Sequence, residues 1–104
     1  MGCQVTIKGS LIVQDVDLTI CDQNNCEVLR LDWITKVEGN VLVVNNVGLT
    51  QLSLNKLKEI GRNLIIQNNS SLQTIHASLG TVKGNIFMKN NNNLTTTKEV
   101  LFGD

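Results

Sequence analysis

Few residues in this chain are of a type that does chemistry, and their spacing narrows what they could do. Cys21 and Cys26 stand five apart across Asp22, Gln23, Asn24 and Asn25, a polar, turn-forming run. In an oxidising compartment such a pair closes a small loop, and a Cys21–Cys26 disulfide is expected there. The alternative is that Cys26 packs as a small hydrophobe and Cys21 stays unpaired. Cys3 makes the count odd, so it is expected to be free or intermolecular. Three cysteines and one histidine share no metal-ligand spacing, so neither a metal nor a cofactor is expected. His76 is the single histidine and has no GxSxG or HExxH frame around it. Paired carboxylates and glycine-rich phosphate loops are missing as well, so no catalytic residue is assigned and an enzyme is not expected. Trp33 is the sole tryptophan; exposed, it would anchor a partner, and otherwise it covers the cysteine loop, which is the expectation. Sequons at Asn68, Asn69 and Asn93 are candidate glycosylation sites.

The opening MGCQVT fits an N-myristoylation pattern with a neighbouring palmitoylatable Cys. A lipidated terminus needs a flexible polar spacer behind it, and the repeats described next leave no room for one. No lipid is expected. A charged start, apolar stretch and small-residue cleavage site are also missing. The choice left is an intracellular protein or a mature or excised domain.

The elements that must hold these residues are repeats. Val37-Glu38-Gly39-Asn40 leads into VLVV, an Asn pair and Leu49; Ile60-Gly61-Arg62-Asn63 leads into LIIQ, an Asn pair and Leu72. Val82-Lys83-Gly84-Asn85 leads into IFMK, an Asn pair and Leu94, and Ile7-Lys8-Gly9-Ser10 with LIVQ is a divergent fourth copy. Leu49, Leu52, Leu57 and Ile60 match Leu72, Ile75, Leu79 and Val82, with one residue fewer between the middle pair. Counting back from Val37 gives Ile34, Leu29 and Cys26, so the first copy holds about seven extra residues around CDQNNC. Units of 22–23 residues, too short to bury their own apolar faces, stack and share a core. Gly-Asn and Asn-Asn interrupt every window of helical length, which disfavours helix pairs. Paired Asn at 45–46, 68–69 and 90–91 fit corners, where Asn tolerates a left-handed backbone and bonds its copy in the next coil. The expected fold is mainly β: a parallel β-solenoid of about four coils, right-handed by the crossover rule. It forms one domain over 1–104, with a first coil over 3–37 that carries the Cys21–Cys26 loop, and coils over 37–60, 60–82 and 82–104.

Net charge is zero, with nine basic and nine acidic residues, and three aromatics in all. Without a basic stripe to meet phosphates or aromatic platforms to stack bases, nucleic acid is not expected as a partner. Apolar runs of four to five residues are far too short to span a membrane.

The phrases GCQVTIKGSLIV, VEGNVLVVNN, IGRNLIIQNNSSLQTI and VKGNIFMKNN resemble the receptor L domain, and the likeness runs from Cys3 to about Leu94. That family comprises the ligand-binding lobes of epidermal growth factor and insulin receptors and many surface proteins built of L domains. LTQLSLN at 49–55 also partly fits leucine-rich repeats. In the family, the Cys at the position of Cys3 bonds to a Cys further upstream, for which this chain has no counterpart. The resemblance implies an extracellular or cell-surface protein that binds ligands through the broad sheet face.

Strand alternation adds a specific surface. With Leu11/Val13, Val41/Val43, Leu64/Ile66 and Ile86/Met88 inward, Ile12, Leu42, Ile65 and Phe87 form an outward apolar row. Gln14, Val44, Gln67 and Lys89 run beside it. An apolar stripe across four coils is unusual on a solvated monomer. The candidate ligand-binding residues are therefore Ile12, Leu42, Val44, Ile65, Gln67, Phe87 and Lys89, for a protein or peptide ligand. The alternative is a structural or adhesive solenoid, a homo-oligomer joined through this face or its ends. A flat ice- or glycan-binding face is the weakest fit, because threonine rows are confined to 95–97.

Overall fold

The computed structural model describes residues 4–19, 28–94 and 101–102. The expected Cys21–Cys26 bond, Cys3 and the threonines at 95–97 lie outside the described residues. The strands are β1 (Val5–Ile7), β2 (Leu11–Gln14), β3 (Val28–Arg30), β4 (Ile34–Val37), β5 (Val41–Val44), β6 (Gln51–Leu54), β7 (Glu59–Ile60), β8 (Leu64–Gln67), β9 (Thr74–Ala77), β10 (Thr81–Val82) and β11 (Ile86–Lys89). They form three sheets with orders β1-β4-β7-β10, β2-β5-β8-β11 and β3-β6-β9. Every pairing is parallel. Each strand thus pairs with its copy one coil away, and the chain is a mainly-β, parallel β-solenoid.

The register reproduces the repeat spacing. Ile7 pairs with Val37, Val37 with Ile60 and Ile60 with Val82. Asp17 bridges Val47, whereas Leu29 pairs with Leu52. The extra length of the first coil therefore lies between Asp17 and Leu29.

Inside the coils, Val41, Val43, Leu64 and Ile66 are buried, and so are the stacked ladder residues Leu52, Leu57, Ile75 and Leu79. Leu79 N–H donates to the carbonyl of Leu101 at 2.8 Å, and Leu101 is buried as well. It stands 22 residues after Leu79 and carries the ladder into the fourth coil.

The corners explain the Gly and Asn usage. Asp15, Asn45, Asn68 and Asn90 all have φ near +58°, a conformation that Asn and Asp adopt more readily than other side chains. At the preceding corner the coils approach so closely that a Cβ on Gly61 would run into the Glu38 carbonyl.

Asn side chains then tie coil to coil in three ladders. In the outer one, Asn68 Nδ2 donates to Asn45 Oδ1 and Asn90 Nδ2 to Asn68 Oδ1, at 3.0 and 3.1 Å. In a second, the backbone N–H of Asn63 donates to Asn40 Oδ1 and that of Asn85 to Asn63 Oδ1, at 3.0 and 2.9 Å. The third is internal: Asn46 Nδ2 donates to Asn69 Oδ1 and Asn69 Nδ2 to Asn91 Oδ1, both at 2.9 Å. Asn46 and Asn69 are completely buried, which is tolerable because each amide is bonded above and below.

Candidate recognition face

The sheet β2-β5-β8-β11 positions the candidate surface. Its strands pair residue for residue, so Ile12, Leu42, Ile65 and Phe87 form one straight row, and Gln14, Val44, Gln67 and Lys89 a second. Alternation turns their neighbours Val41, Val43, Leu64 and Ile66 into the core. Ile12 is 57% and Phe87 49% exposed, while Leu42 and Ile65, flanked on both sides by copies, are half-buried. Beside Phe87 lies an open depression of about 550 Å³ lined by Ile65, Gln67, Ile86, Phe87, Met88 and Lys89. Lys89 is the only charged member of the two rows, so the face is nearly neutral.

Two candidate residues need correction. Val44 is only 8% exposed. It stands between Gln14 and Gln67, whose longer side chains flank it in the ladder, and so offers almost no surface to a ligand. Asn69 is excluded as a glycan acceptor by complete burial, with both its amide hydrogens engaged, one on Val43 O and one on Asn91 Oδ1. Asn68 and Asn93 are exposed.

The remaining chemistry-bearing residues are scattered. His76 is exposed and pairs with Ser53 on the sheet β3-β6-β9. Ser53 is buried instead of solvent-facing, because its hydroxyl donates to Asp32 Oδ1 at 2.7 Å. The N–H of Asn55 adds a second bond to the same oxygen at 3.0 Å. These two bonds, the Ser53 hydroxyl first, hold the Asp32 carboxyl below the usual carboxylate range. A hydroxyl committed to a carboxylate and shut away from solvent is a structural strut, not a nucleophile. Sequence reasoning missed this network, since neither Asp32 nor Ser53 recurs in the other coils. Trp33 is 49% exposed; the cysteine loop that it was expected to cover lies outside the described residues.

On the sheet β1-β4-β7-β10, Lys36 and Lys83 each reach Glu59 at 3.6 Å, solvated pairs that contribute little to stability. Among the described residues no group of His, Cys, Asp and Glu could hold a metal ion, and no helix is long and apolar enough to cross a membrane. No protein-family model, curated protein or solved structure matches the chain.

Proposed function

We propose that this chain is a non-catalytic recognition module of a secreted or cell-surface receptor-like protein, and that it binds a protein or peptide through the outer face of β2-β5-β8-β11. One observation carries the proposal: Ile12, Leu42, Ile65 and Phe87 stand in register across four coils, with their apolar surface turned outward. Contiguous apolar surface of this kind, rimmed by polar Gln14, Gln67 and Lys89, is typical of a contact site. The resemblance of the repeats to receptor L domains supports the same face, and exposed sequons at Asn68 and Asn93 suit a secreted chain.

The test is a peptide-display selection on the parent protein, followed by affinity measurement on Leu42→Lys/Ile65→Lys. Both substitutions place the charge on the outward side, so the fold is expected to persist. Selected peptides should bind the parent and lose about tenfold or more on the variant, the equivalent of one or two apolar contacts. Peptides that bind parent and variant alike would refute the assignment of the face.

A further inference from the structure

We infer that the two ends of the solenoid are complementary, so that a second copy of this chain stacks its β2 on the β11 of the first, head to tail. Hydrogen-bond phase supports this. Leu11 N–H donates to Asn40 O and Asp15 N–H to Val44 O, at 2.9 and 3.1 Å. In a parallel ladder that fixes the N–H groups of Ile12 and Gln14 toward the opposite side, where no described strand pairs with β2. At the other end, Leu64 N–H donates to Asn85 O and Asn68 N–H to Lys89 O. By the same phase the N–H groups of Ile86, Met88 and Asn90 point away from the third coil. Placing Leu11–Gln14 of one copy against Ile86–Lys89 of the next satisfies both edges in the register that the internal coils use.

The side chains agree with that register. Ile86 and Met88 at one end and Leu11 and Val13 at the other are half-buried, whereas their internal copies are fully buried. Ile12 and Phe87, the two most exposed members of the stripe, would become neighbours in one continuous row. Formal net charge is zero, so the copies do not repel one another over distance.

Gly9 supplies an independent indication. Each internal corner carries a glycine whose Cβ would strike the coil before it: Gly39 meets the Gly9 carbonyl at 2.8 Å, Gly84 meets the Arg62 carbonyl at 2.6 Å, and at the third corner Gly61, shifted by one place, meets Glu38. Gly9 occupies the same corner in the first coil, yet among the described residues nothing lies within 4 Å of its added Cβ. Among the described residues of one copy its smallness is unused. In the stack it accommodates the fourth coil of the neighbour.

Two positions at the joint are mismatched, and they limit the association. Val16 stands where the internal ladder has Asn46, Asn69 and Asn91 and offers Asn91 no side-chain acceptor. The outer ladder breaks as well. Along the outer ladder each Asn donates its Nδ2 hydrogen to the Oδ1 of the coil before. The next member at the joint is Asp15, and a carboxylate has no hydrogen to give to Asn90 Oδ1. A head-to-tail contact does not close on itself, so the stack has no fixed stoichiometry.

Sedimentation velocity over a wide range of protein concentration tests the proposal. The parent should associate weakly and open-endedly. Asp15→Asn completes the outer ladder and should tighten association about tenfold, and Gly9→Val should weaken it at least about tenfold. Leu42→Lys/Ile65→Lys, in the middle of the stripe, should leave association unchanged, which separates this contact from binding through the face. Far-UV spectra and melting confirm folding; if Gly9→Val unfolds, Gln14→Pro blocks the same edge by deleting an outward N–H. Association unaffected by Asp15→Asn or by the edge-blocking variant overturns the proposal, as does its loss in the Leu42→Lys/Ile65→Lys variant.

Discussion

Asn69→Ala tests the internal ladder most directly. Asn69 Oδ1 accepts from the backbone N–H of Asn46 at 3.3 Å and from its Nδ2 at 2.9 Å. Truncation strips both donors of their acceptor inside the core, where Asn46 is wholly buried. The second Asn46 amide hydrogen keeps its bond to Val13 O, and Asn91 Oδ1 keeps the Asn69 backbone N–H. The damage is therefore two orphaned donors, at about 1–3 kcal/mol each, or about 2–6 kcal/mol together, besides the two bonds that Asn69 Nδ2 gave to Val43 O and Asn91 Oδ1. For a domain of this length each kcal/mol moves Tm by roughly 4–8 °C, so a fall of at least about 8 °C is expected. Thermal and urea melts measure it, with Asn93→Ala as the control. That exposed amide makes one bond, to Ser70 O at 2.8 Å, and its loss should cost no more than about 1 kcal/mol. If Asn69→Ala melts within about 1 kcal/mol of the control, the ladder is not a structural element and the account of the corners fails.

Three further outcomes follow from the same packing. Gly61→Ala should destabilise by about 1–3 kcal/mol, because its Cβ meets the Glu38 backbone and the coils must part; Gly9→Ala, with open space around it, should be neutral or slightly stabilising. Leu52→Ala combined with Ile75→Ala should unfold the domain, since each buried truncation costs about 2–5 kcal/mol against a total of about 5–15. Asp32 has a folded pKa below its unfolded value of about 3.9, so its stabilisation is full above that pH and fades as pH falls through the folded value. Melting temperature should then drop more steeply on acidification in the parent than in Asp32→Ala, and parallel curves would show that the bonds to Ser53 and Asn55 contribute nothing.

Much of the fold was legible because one physical demand recurs every 22–23 residues. A left-handed corner needs Asn or Asp, and Asp15, Asn45, Asn68 and Asn90 duly share that conformation. The inward and outward rows followed from period-two alternation alone. The burial of Asn46 and Asn69 was not legible, since polarity places Asn outside until a ladder partner is known to lie above and below. Val44 failed for a related reason: alternation gives the side of a sheet, whereas exposure depends on the length of the neighbours in the next coils. Asp32 and Ser53 left no signal, because their network occurs once.

The unequal coil lengths also explain why the candidate face is so regular. From Asn40 to Asn46, Asn63 to Asn69 and Asn85 to Asn91 the chain takes the same number of steps, and Ser10 to Val16 repeats it. Both ends of that segment are tied to the next coil: Asn63 and Asn85 bond their predecessors at one end, and Asn46, Asn69 and Asn91 are linked at the other. The seven-residue excess of the first coil lies between Asp17 and Leu29, and the single-residue difference between the later coils lies beyond Leu52 and Ile75. Neither reaches the sheet β2-β5-β8-β11. That sheet pairs without a shift across all four strands, whereas β1 and β4 slip between Val5 and Thr6. A slip of one residue would send Leu42 or Ile65 into the core and a core residue outward. Two flanking Asn ladders prevent this. They hold Ile12, Leu42, Ile65 and Phe87 in line whatever length the rest of the coil takes.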